Sequence, residues 1–289
     1  MTFIQKLSLS LMMGVLALLM LLPIVITVTN SFMTEAEIEY NYHLIGQLIN
    51  IEAGEKDGFI NVKLLPDWVS FRQYAEVLVH KPVFLQMFWN SVFMVVPIII
   101  LQVLVASLAA YAFAKLRFPG RDKLFFLYVL TMLMPFQVTL VPNYIIADKL
   151  GLINTTSAII LPGIFSAFGV FMLRQFVMHI PNSYIEAAKI DGAGHLRIFY
   201  QIIVPLVQPG MAALVVLLFV DNWNMVEQPL IFLEDAFKQP LSLYLSHINK
   251  DARGVAFAAS VLYMTPMVLL YLYAESYFVQ GIQLSGVKG

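Results

Sequence analysis

Long apolar stretches alternate with short polar segments along most of the chain. Six of the stretches are long enough to cross the hydrocarbon core of a bilayer, which takes about 20 apolar residues as a helix. None contains an acidic or basic side chain. The fifth is the weakest, because Pro205 and Pro209 predict an irregular start. The pattern predicts one all-helical membrane domain over residues 1–289, with transmembrane helices at about 9–28, 88–113, 124–147, 151–173, 203–220 and 255–273.

Composition supports a membrane protein. Hydrophobic residues make up 60% of the chain and charged residues only 12%, against about 25% in soluble domains. The net charge of -1 gives no reason to expect a nucleic-acid partner. The first apolar stretch exceeds the roughly 7–15 residues of a signal-peptide core and no small-residue cleavage site follows it, so we expect a retained helix.

Charge distribution in the polar connections predicts the orientation. Basic residues collect between predicted helices 2 and 3 and between helices 4 and 5, whereas the segment after helix 1 is rich in glutamate. Short cytoplasmic loops carry an excess of Lys and Arg. We therefore expect both termini and segment 181–205 in the cytoplasm, and segment 31–87 outside. The basic residues concerned are Lys115, Arg117, Arg121, Lys123, Arg174, Lys189 and Arg197.

The external segment 31–87 is the largest predicted polar piece. Residues 47–64 read as two short strands around a Gly-flanked turn, so this part forms either a small β-hairpin or an irregular loop. Further on, Phe71, Tyr74, Val77 and Leu78 have helical spacing. That spacing predicts a helix lying along the outer membrane interface.

A polar segment from Pro181 to Pro209 separates the fourth and fifth apolar stretches. Ser183 followed three residues later by Glu186 is typical of a capping box at a helix start. Residues 184–191 favour a short helix, and Gly192 and Gly194 predict a left-handed stop. A short capped helix between two membrane spans is predicted to dock onto a partner.

Sequence patterns for catalysis are absent: the chain has no H-E-x-x-H, G-x-S-x-G or P-loop pattern, and no cysteine. We therefore expect no enzymatic activity from it. Polar residues within or beside the apolar stretches either hydrogen-bond helices together or line a path for a polar, uncharged solute. The candidates for such a path are Asn90, Ser91, Asn143, Asn222 and Asn224, and Gln102, Ser107 and Gln137 are further polar positions of this kind.

The polar segment resembles the cytoplasmic loop motif of ABC-importer permease subunits. That motif reads EAA, three residues, G, nine residues, I, one residue, L-P. Here Val204 replaces the usual Leu, a conservative departure. The other motif positions are filled by Glu186, Ala187, Ala188, Gly192, Ile202 and Pro205.

Other parts resemble one branch of that family, the carbohydrate-uptake permeases similar to the second membrane subunit of the maltose importer. The matching stretches are Trp89-Asn90-Ser91, residues 110–120, Trp223-Asn224, Pro229-Leu230 and the C-terminal residues 277–289. The likeness extends over nearly the whole chain from Val69 onward. The piece at about 35–65 is longer than the family leads us to expect.

The resemblance implies a subunit of an ATP-driven importer that takes up a sugar or oligosaccharide. It implies a second permease subunit in a heterodimer, two ATPase subunits that hold ATP and Mg, and an extracytoplasmic solute-binding protein. This chain would itself bind no cofactor or metal and would lie in a bacterial or archaeal cytoplasmic membrane. ATPase coupling is expected from Ser183, Tyr184, Glu186, Ala187, Ala188, Asp191, Gly192 and Pro205, and contact with the binding protein from Trp223, Glu227 and Pro229.

Two alternatives remain open. The chain belongs either to an importer of sugars or to a same-family importer of another polar solute, such as a sugar phosphate or a polyol. A different class is an ion-gradient-driven carrier or a stand-alone membrane receptor. Carriers commonly show internal repeats and ionisable residues at the membrane midplane. Neither pattern occurs in this sequence.

Overall fold

The computed structural model describes residues 3–42, 63–248 and 252–286. Within these ranges all regular structure is helical, so the predicted all-α class is confirmed for them. The possible β-hairpin at 47–64 falls almost entirely on residues outside the description. The α-helices are α1 Phe3–Asn30, α2 Glu35–Tyr42, α3 Arg72–Ala75, α4 Pro82–Lys115, α5 Arg121–Leu130, α6 Phe136–Lys149, α7 Ser157–Gly163, α8 Ala167–His179, α9 Asn182–Ile190, α10 His195–Ile198, α11 Val204–Leu206, α12 Gln208–Trp223, α13 Glu227–Phe232 and α14 Arg253–Gly286.

Four helical stretches and two bent helix pairs are candidate membrane spans. By length and apolar composition, four stretches of the described chain can each cross a membrane, and the total reaches six if each bent pair is one span. The four stretches are Gln5–Asn30, Pro82–Lys115, Ser157–His179 and Arg253–Glu275, and the bent pairs are Arg121–Leu133 with Phe136–Lys149, and His195–Leu206 with Gln208–Trp223.

The third predicted span, at about 124–147, is not one straight helix. After α5 and a 3₁₀ turn at Thr131–Leu133, the chain bends by 100° before α6. Met134 is extended, with ψ 122°, and Pro135 follows it. Proline disfavours the helical conformation of the residue before it, which explains a break at this point. The sequence-based prediction overlooked the Met134-Pro135 pair.

The fifth predicted span enters irregularly, as its prolines indicate. A π-helical turn at Phe199–Ile203 precedes α11, and Val207 separates α11 from α12 with a bend of 75°. Pro205 and Pro209 flank this break. Neither proline has a backbone N–H for the helix ladder, so the chain cannot continue as one regular helix.

The chain divides into two compact units. One comprises Met1–Gln86 with Tyr244–Pro266, and the other comprises Met87–Leu243 with Met267–Gly289. In the first unit, Met33, Ile38 and Tyr42 form a small core against Phe257. The carboxylate of Glu35 accepts hydrogen bonds from the backbone N–H of Gly254, at 3.3 and 3.2 Å. Part of segment 31–87, which is predicted to be external, is therefore helical, and α2 is tied to the start of α14.

The helix predicted from Phe71, Tyr74, Val77 and Leu78 is confirmed. α3 continues into a π-helical turn at Glu76–His80, and the side chain of Val77 is completely buried. The tyrosine hydroxyl of Tyr74 pairs with Ser31 Oγ at 2.7 Å. Its position relative to a membrane stays a prediction.

Close helix packing organises the second unit. α12 packs on α8, where Gly210 lies directly against the ring of Phe176. Gly169 of α8 likewise lies close to Ala106 of α4. A further core cluster joins α4, α6, α7 and α13 through Met94, Ala147, Ile159 and Phe232. Glycine and alanine at these crossings let the helix backbones approach each other closely, as in membrane bundles generally.

Candidate functional site

The short helix predicted after Pro181 is present as α9, but it begins differently. Pro181 is the N-cap residue and no side chain caps this end, so the predicted capping box at Ser183 is wrong. Proline is tolerated at this position because its missing N–H removes no helix hydrogen bond there. The helix begins at Asn182, which leaves Ser183 and Glu186 inside it.

The predicted left-handed stop is confirmed at Gly192, whereas Gly194, with φ -73°, is not left-handed. Gly192 has φ 80°, in the left-handed region where glycine alone is free of strain. Its N–H donates to Lys189 O at 3.0 Å, and the N–H of Ala193 donates to Ala188 O at 2.9 Å. These two bonds form a Schellman motif, which satisfies carbonyls that a helix end would leave unpaired. The exit from α9 is therefore sharply defined.

Most of α9 is free to meet a partner. Ile185 is its buried anchor, at 7% exposure, whereas Tyr184, Glu186 and Ala187 are exposed. Ile190 at the end of the helix is 87% exposed. An exposed carboxylate beside large exposed apolar side chains is the composition of a protein-binding surface. Of the other predicted coupling residues, Ser183, Asp191, Gly192 and Pro205 are exposed and Ala188 is half-buried.

The end of α4 holds this segment in place. Lys115 Nζ donates to Ile180 O at 2.6 Å and to Asn182 Oδ1 at 3.0 Å, on the two sides of Pro181. One turn earlier, the hydroxyl of Tyr111 contacts His195 Nδ1 at 3.2 Å, and its ring packs on Phe199. Sequence reasoning missed both positioning residues, because pairs separated by more than 60 positions leave no local pattern.

Asn90 and Ser91, at the other end of α4, hold the connection after α13. The amide Nδ2 of Asn90 donates to Phe237 O at 2.7 Å and to Gln239 O at 3.1 Å. Ser91 Oγ is buried and accepts the backbone N–H of Leu241 at 2.7 Å. Both side chains therefore support the connection after α13, and their place on a solute path stays a prediction.

The remaining path candidates are spread over two helices. Asn143 is half-buried on α6 and Asn222 is half-buried on α12, where its Nδ2 donates to Leu218 O at 2.8 Å. Asn224 is exposed and donates to Val220 O at 2.7 Å. Asn222 and Asn224 thus each bond a carbonyl of α12.

The three residues predicted to contact a binding protein differ in accessibility. Trp223 is 1% exposed and stacks on Phe219, with ring centroids 5.1 Å apart. Pro229 is also buried. Both side chains are thus enclosed by their own chain in this structure, and contact of Trp223 and Pro229 with a binding protein stays a prediction. Glu227 is exposed, and Gln137 Nε2 donates to both of its carboxylate oxygens at 3.1 Å.

Three comparisons identify the family. Residues 82–283 match the family described as "Binding-protein-dependent transport system inner membrane component". AraQ, the arabinooligosaccharides transport system permease protein of Halalkalibacterium halodurans, is 32% identical over 227 residues, which cover 78% of this chain and 81% of that protein. UgpE, the sn-glycerol-3-phosphate transport system permease protein of Yersinia enterocolitica, is 33% identical over 201 residues, 68% of this chain and 72% of that protein.

A solved structure supports the same fold. The crystal structure of a bacterial ABC transporter involved in the import of the acidic polysaccharide alginate matches with a TM-score of 0.79, covering 95% of this chain and 96% of that chain at 24% identity. The four to six helical stretches able to cross a membrane indicate a multi-pass membrane protein. The chain belongs to the binding-protein-dependent transport system inner membrane component family, and its likeness to sugar ABC-importer permeases is confirmed.

Proposed function

We propose that this chain is a transmembrane permease subunit of an ATP-driven importer, and that α9 is the helix through which ATPase movement reaches the spans. The observation that carries the proposal is the construction of α9. It has one buried anchor, Ile185, an exposed acidic and apolar surface around Glu186, and a fixed stop at Gly192. A docking helix needs both a free face and a rigid connection to the spans it moves.

The rigid connection is supplied by α4. Lys115 and Tyr111 bind the two sides of the α9–α10 segment, so a displacement of α9 pulls on a helix of 34 residues. ATP favours the closed ATPase arrangement only by its greater affinity for that state. Through α9 and α4, this preference becomes a shift between inward-open and outward-open spans.

The solute class follows from the relatives. AraQ is named for arabinooligosaccharides, and the alginate importer shares the fold. We therefore assign a sugar or oligosaccharide as the cargo. UgpE, named for glycerol-3-phosphate, supports a sugar phosphate or related polar solute as the second candidate.

The expected assembly contains a second permease subunit, two ATPase subunits with ATP and Mg, and an extracytoplasmic solute-binding protein. The family description and the alginate importer, which was also crystallised with a periplasmic protein carrying an alginate pentasaccharide, support this arrangement. The cytoplasmic membrane of a bacterium or archaeon is the expected location. The charge bias favours α9 on the cytoplasmic side, where the ATPases are.

Replacing Glu186 with alanine tests the coupling role. The exposed carboxylate is expected to orient docking by pairing with a basic residue of the ATPase subunit. Glu186→Ala should therefore lower ATPase stimulation by the sugar-loaded binding protein about tenfold, the effect of losing roughly 1.4 kcal/mol at an interface. Stimulation is measured in proteoliposomes containing the complete complex.

The matched control is Asp148→Ala, which removes an exposed carboxylate from the far end of α6. This control should retain normal stimulation and sugar uptake. Copurification of an ATPase subunit with the parent chain is the first requirement. Unchanged stimulation in Glu186→Ala, or failure of any ATPase to copurify, would overturn the proposed function.

A further inference from the structure

The bend between α5 and α6 lies at the depth of the hydrocarbon core. α5 begins at Arg121, whose guanidinium bonds Leu116 O near the basic end of α4. The ten residues of α5 and the three of the following 3₁₀ turn rise together by about 20 Å. The hydrocarbon core is about 30 Å thick. With the basic Arg121 at the edge of that core, the bend at Met134-Pro135 is reached before the chain can leave it.

Gln137 stays at this depth. It is the second residue of α6, which leaves the bend at 100° to α5. When α5 follows the membrane normal, α6 therefore runs roughly parallel to the membrane plane. Ten residues further on, Ala147 packs against Met94 and Ile98, which lie one to two turns inside the Asn90 end of α4. Gln137 and Ala147 are thus both placed between the two ends of the α4 span, whereas the charged residues Asp148 and Lys149 follow at the end of α6.

A carboxylate meets Gln137 at this level. Gln137 Nε2 donates to both oxygens of Glu227, each at 3.1 Å, and both side chains are exposed on the surface of the chain. Within residues 63–248, no basic side chain forms an ion pair with Glu227. The neighbouring surface is apolar: Leu133 is 77% exposed and Val138 57%. The pair is a polar point on a hydrophobic surface.

Lipid is an unsuitable neighbour for this pair. A charged side chain facing hydrocarbon at mid-depth costs at least about 2.5–3.5 kcal/mol, and one hydrogen-bond donor does not replace its hydration. Such a carboxylate therefore faces either a water-filled cavity or a cation of another subunit. The described residues supply no basic partner, so the carboxylate needs one of these two neighbours, and the neutral amide already bonded to it suits a wet cavity.

We propose that Gln137 and Glu227 line the solute path of this permease, and that Glu227 selects against anionic solutes. The inference rests on the proposed import function and specifies its cargo. Carboxylate and amide groups pair with sugar hydroxyls by accepting and donating hydrogen bonds. A fixed negative charge in a confined path repels a phosphate or uronate. The cargo class is therefore a neutral or cationic polyhydroxyl compound, in contrast to the solutes named for UgpE and for the alginate importer.

The absence of cysteine from the chain allows a direct test. Gln137→Cys is introduced into the complete complex in membrane vesicles, and its modification by two methanethiosulfonate reagents is timed, one bearing a trimethylammonium group and one a sulfonate. Modification of this chain is read by mass spectrometry. Because Glu227 remains, the cationic reagent should react about tenfold faster than the anionic one, as expected for a unit charge a few ångströms away in a partly wet site.

Removal of the charge supplies the decisive comparison. In Gln137→Cys with Glu227→Gln, the ratio of the two rates should fall close to the ratio for free cysteine. Ile146→Cys, on the opposite face of α6, should show no change of ratio with the same Glu227 substitution. The inference would be overturned if the thiol at 137 reacts with neither reagent, or if the ratio of the two rates is unchanged by Glu227→Gln.

The two proposals fail separately in this design. Binding-protein-stimulated ATPase activity of the parent complex tests the import function without any cysteine variant. If that activity is present while the thiol at 137 is unreactive, only the solute-path assignment is wrong. If Glu227→Gln dissociates the permease subunits, Glu227 pairs with a partner cation instead, and the assignment is again wrong.

Discussion

Gly192 and Gly194 lie two positions apart after α9, yet their backbones make different demands. Gly192 has φ 80°, whereas Gly194 has φ -73°, which any residue adopts easily. A Cβ at either position would meet no atom within 4 Å. The two glycines therefore differ in backbone conformation alone, and only Gly192 closes the Schellman motif of the docking helix.

Replacing each glycine by alanine distinguishes the effect of backbone conformation from the effect of steric room for a methyl group. Gly192→Ala should cost about 1–2 kcal/mol locally, because the left-handed conformation brings Cβ close to the following carbonyl. The exit of α9 then frays, and ATPase stimulation by the loaded binding protein should fall roughly tenfold. Gly194→Ala should leave stimulation unchanged. Equal effects of both variants would show that the left-handed stop has no role in coupling.

The sequence anticipated some of these residues for identifiable reasons. Gly192 follows a run of helix-favouring residues, and that local order predicts a stop. The capping-box prediction failed because Pro181 gives the same helix an earlier start, so two local signals competed two residues apart. The positioning bonds of Tyr111 and Lys115 could not be predicted, since they depend on which helices meet in space.

At the scale of elements, bends and close crossings shape the spans more than hydrophobic length does. Apolar composition predicted where spans occur, but the 100° bend of the third comes from the single residue pair Met134-Pro135. After α12, the short helix Glu227–Phe232 and the 3₁₀ turns have too few residues to show a helical period, so the sequence suggested only a loop there. Such elements are fixed by contacts from outside, such as those of Asn90.

Gly210 tests the importance of the α8–α12 crossing. A Cβ at this position would lie 2.7 Å from ring atoms of Phe176, closer than real side chains approach. Gly210→Ala should therefore force the helices apart and lower the stability of the folded chain by about 1–3 kcal/mol, measured by thermal unfolding in detergent.

Two further variants identify the cause of this loss. Gly14→Ala on α1 adds the same methyl group where no atom lies within 4 Å, so it should leave stability unchanged or slightly raised. Adding Phe176→Leu to Gly210→Ala should restore part of the stability, because the smaller side chain leaves room. A Gly210→Ala chain as stable as the parent would mean that the crossing adjusts without cost.

At the scale of the whole molecule, the second unit has two chemically distinct ends joined by α4. The basic connection 116–120 and the α9–α10 segment share the Lys115 end, as the bond between Lys115 and Ile180 shows. The connection after α13 shares the Asn90 end, where Glu234 and Asp235 lie. The charge pattern of the sequence predicted which loops lie at the same end of the unit, because the positive-inside rule groups basic loops on one side of the membrane. Which end faces the cytoplasm stays a prediction.

Labelling from each side of the membrane decides the orientation. The exposed positions Arg117 and Glu234 lie at opposite ends, and the chain's lack of cysteine makes Arg117→Cys and Glu234→Cys clean reporters. A membrane-impermeant maleimide added to intact spheroplasts should label Glu234→Cys and spare Arg117→Cys, and inside-out vesicles should give the opposite result. Permeabilised membranes, in which both thiols should react, control for burial by partner subunits. Labelling of Arg117→Cys in intact spheroplasts would put α9 on the side without ATP, where an ATPase could not bind it.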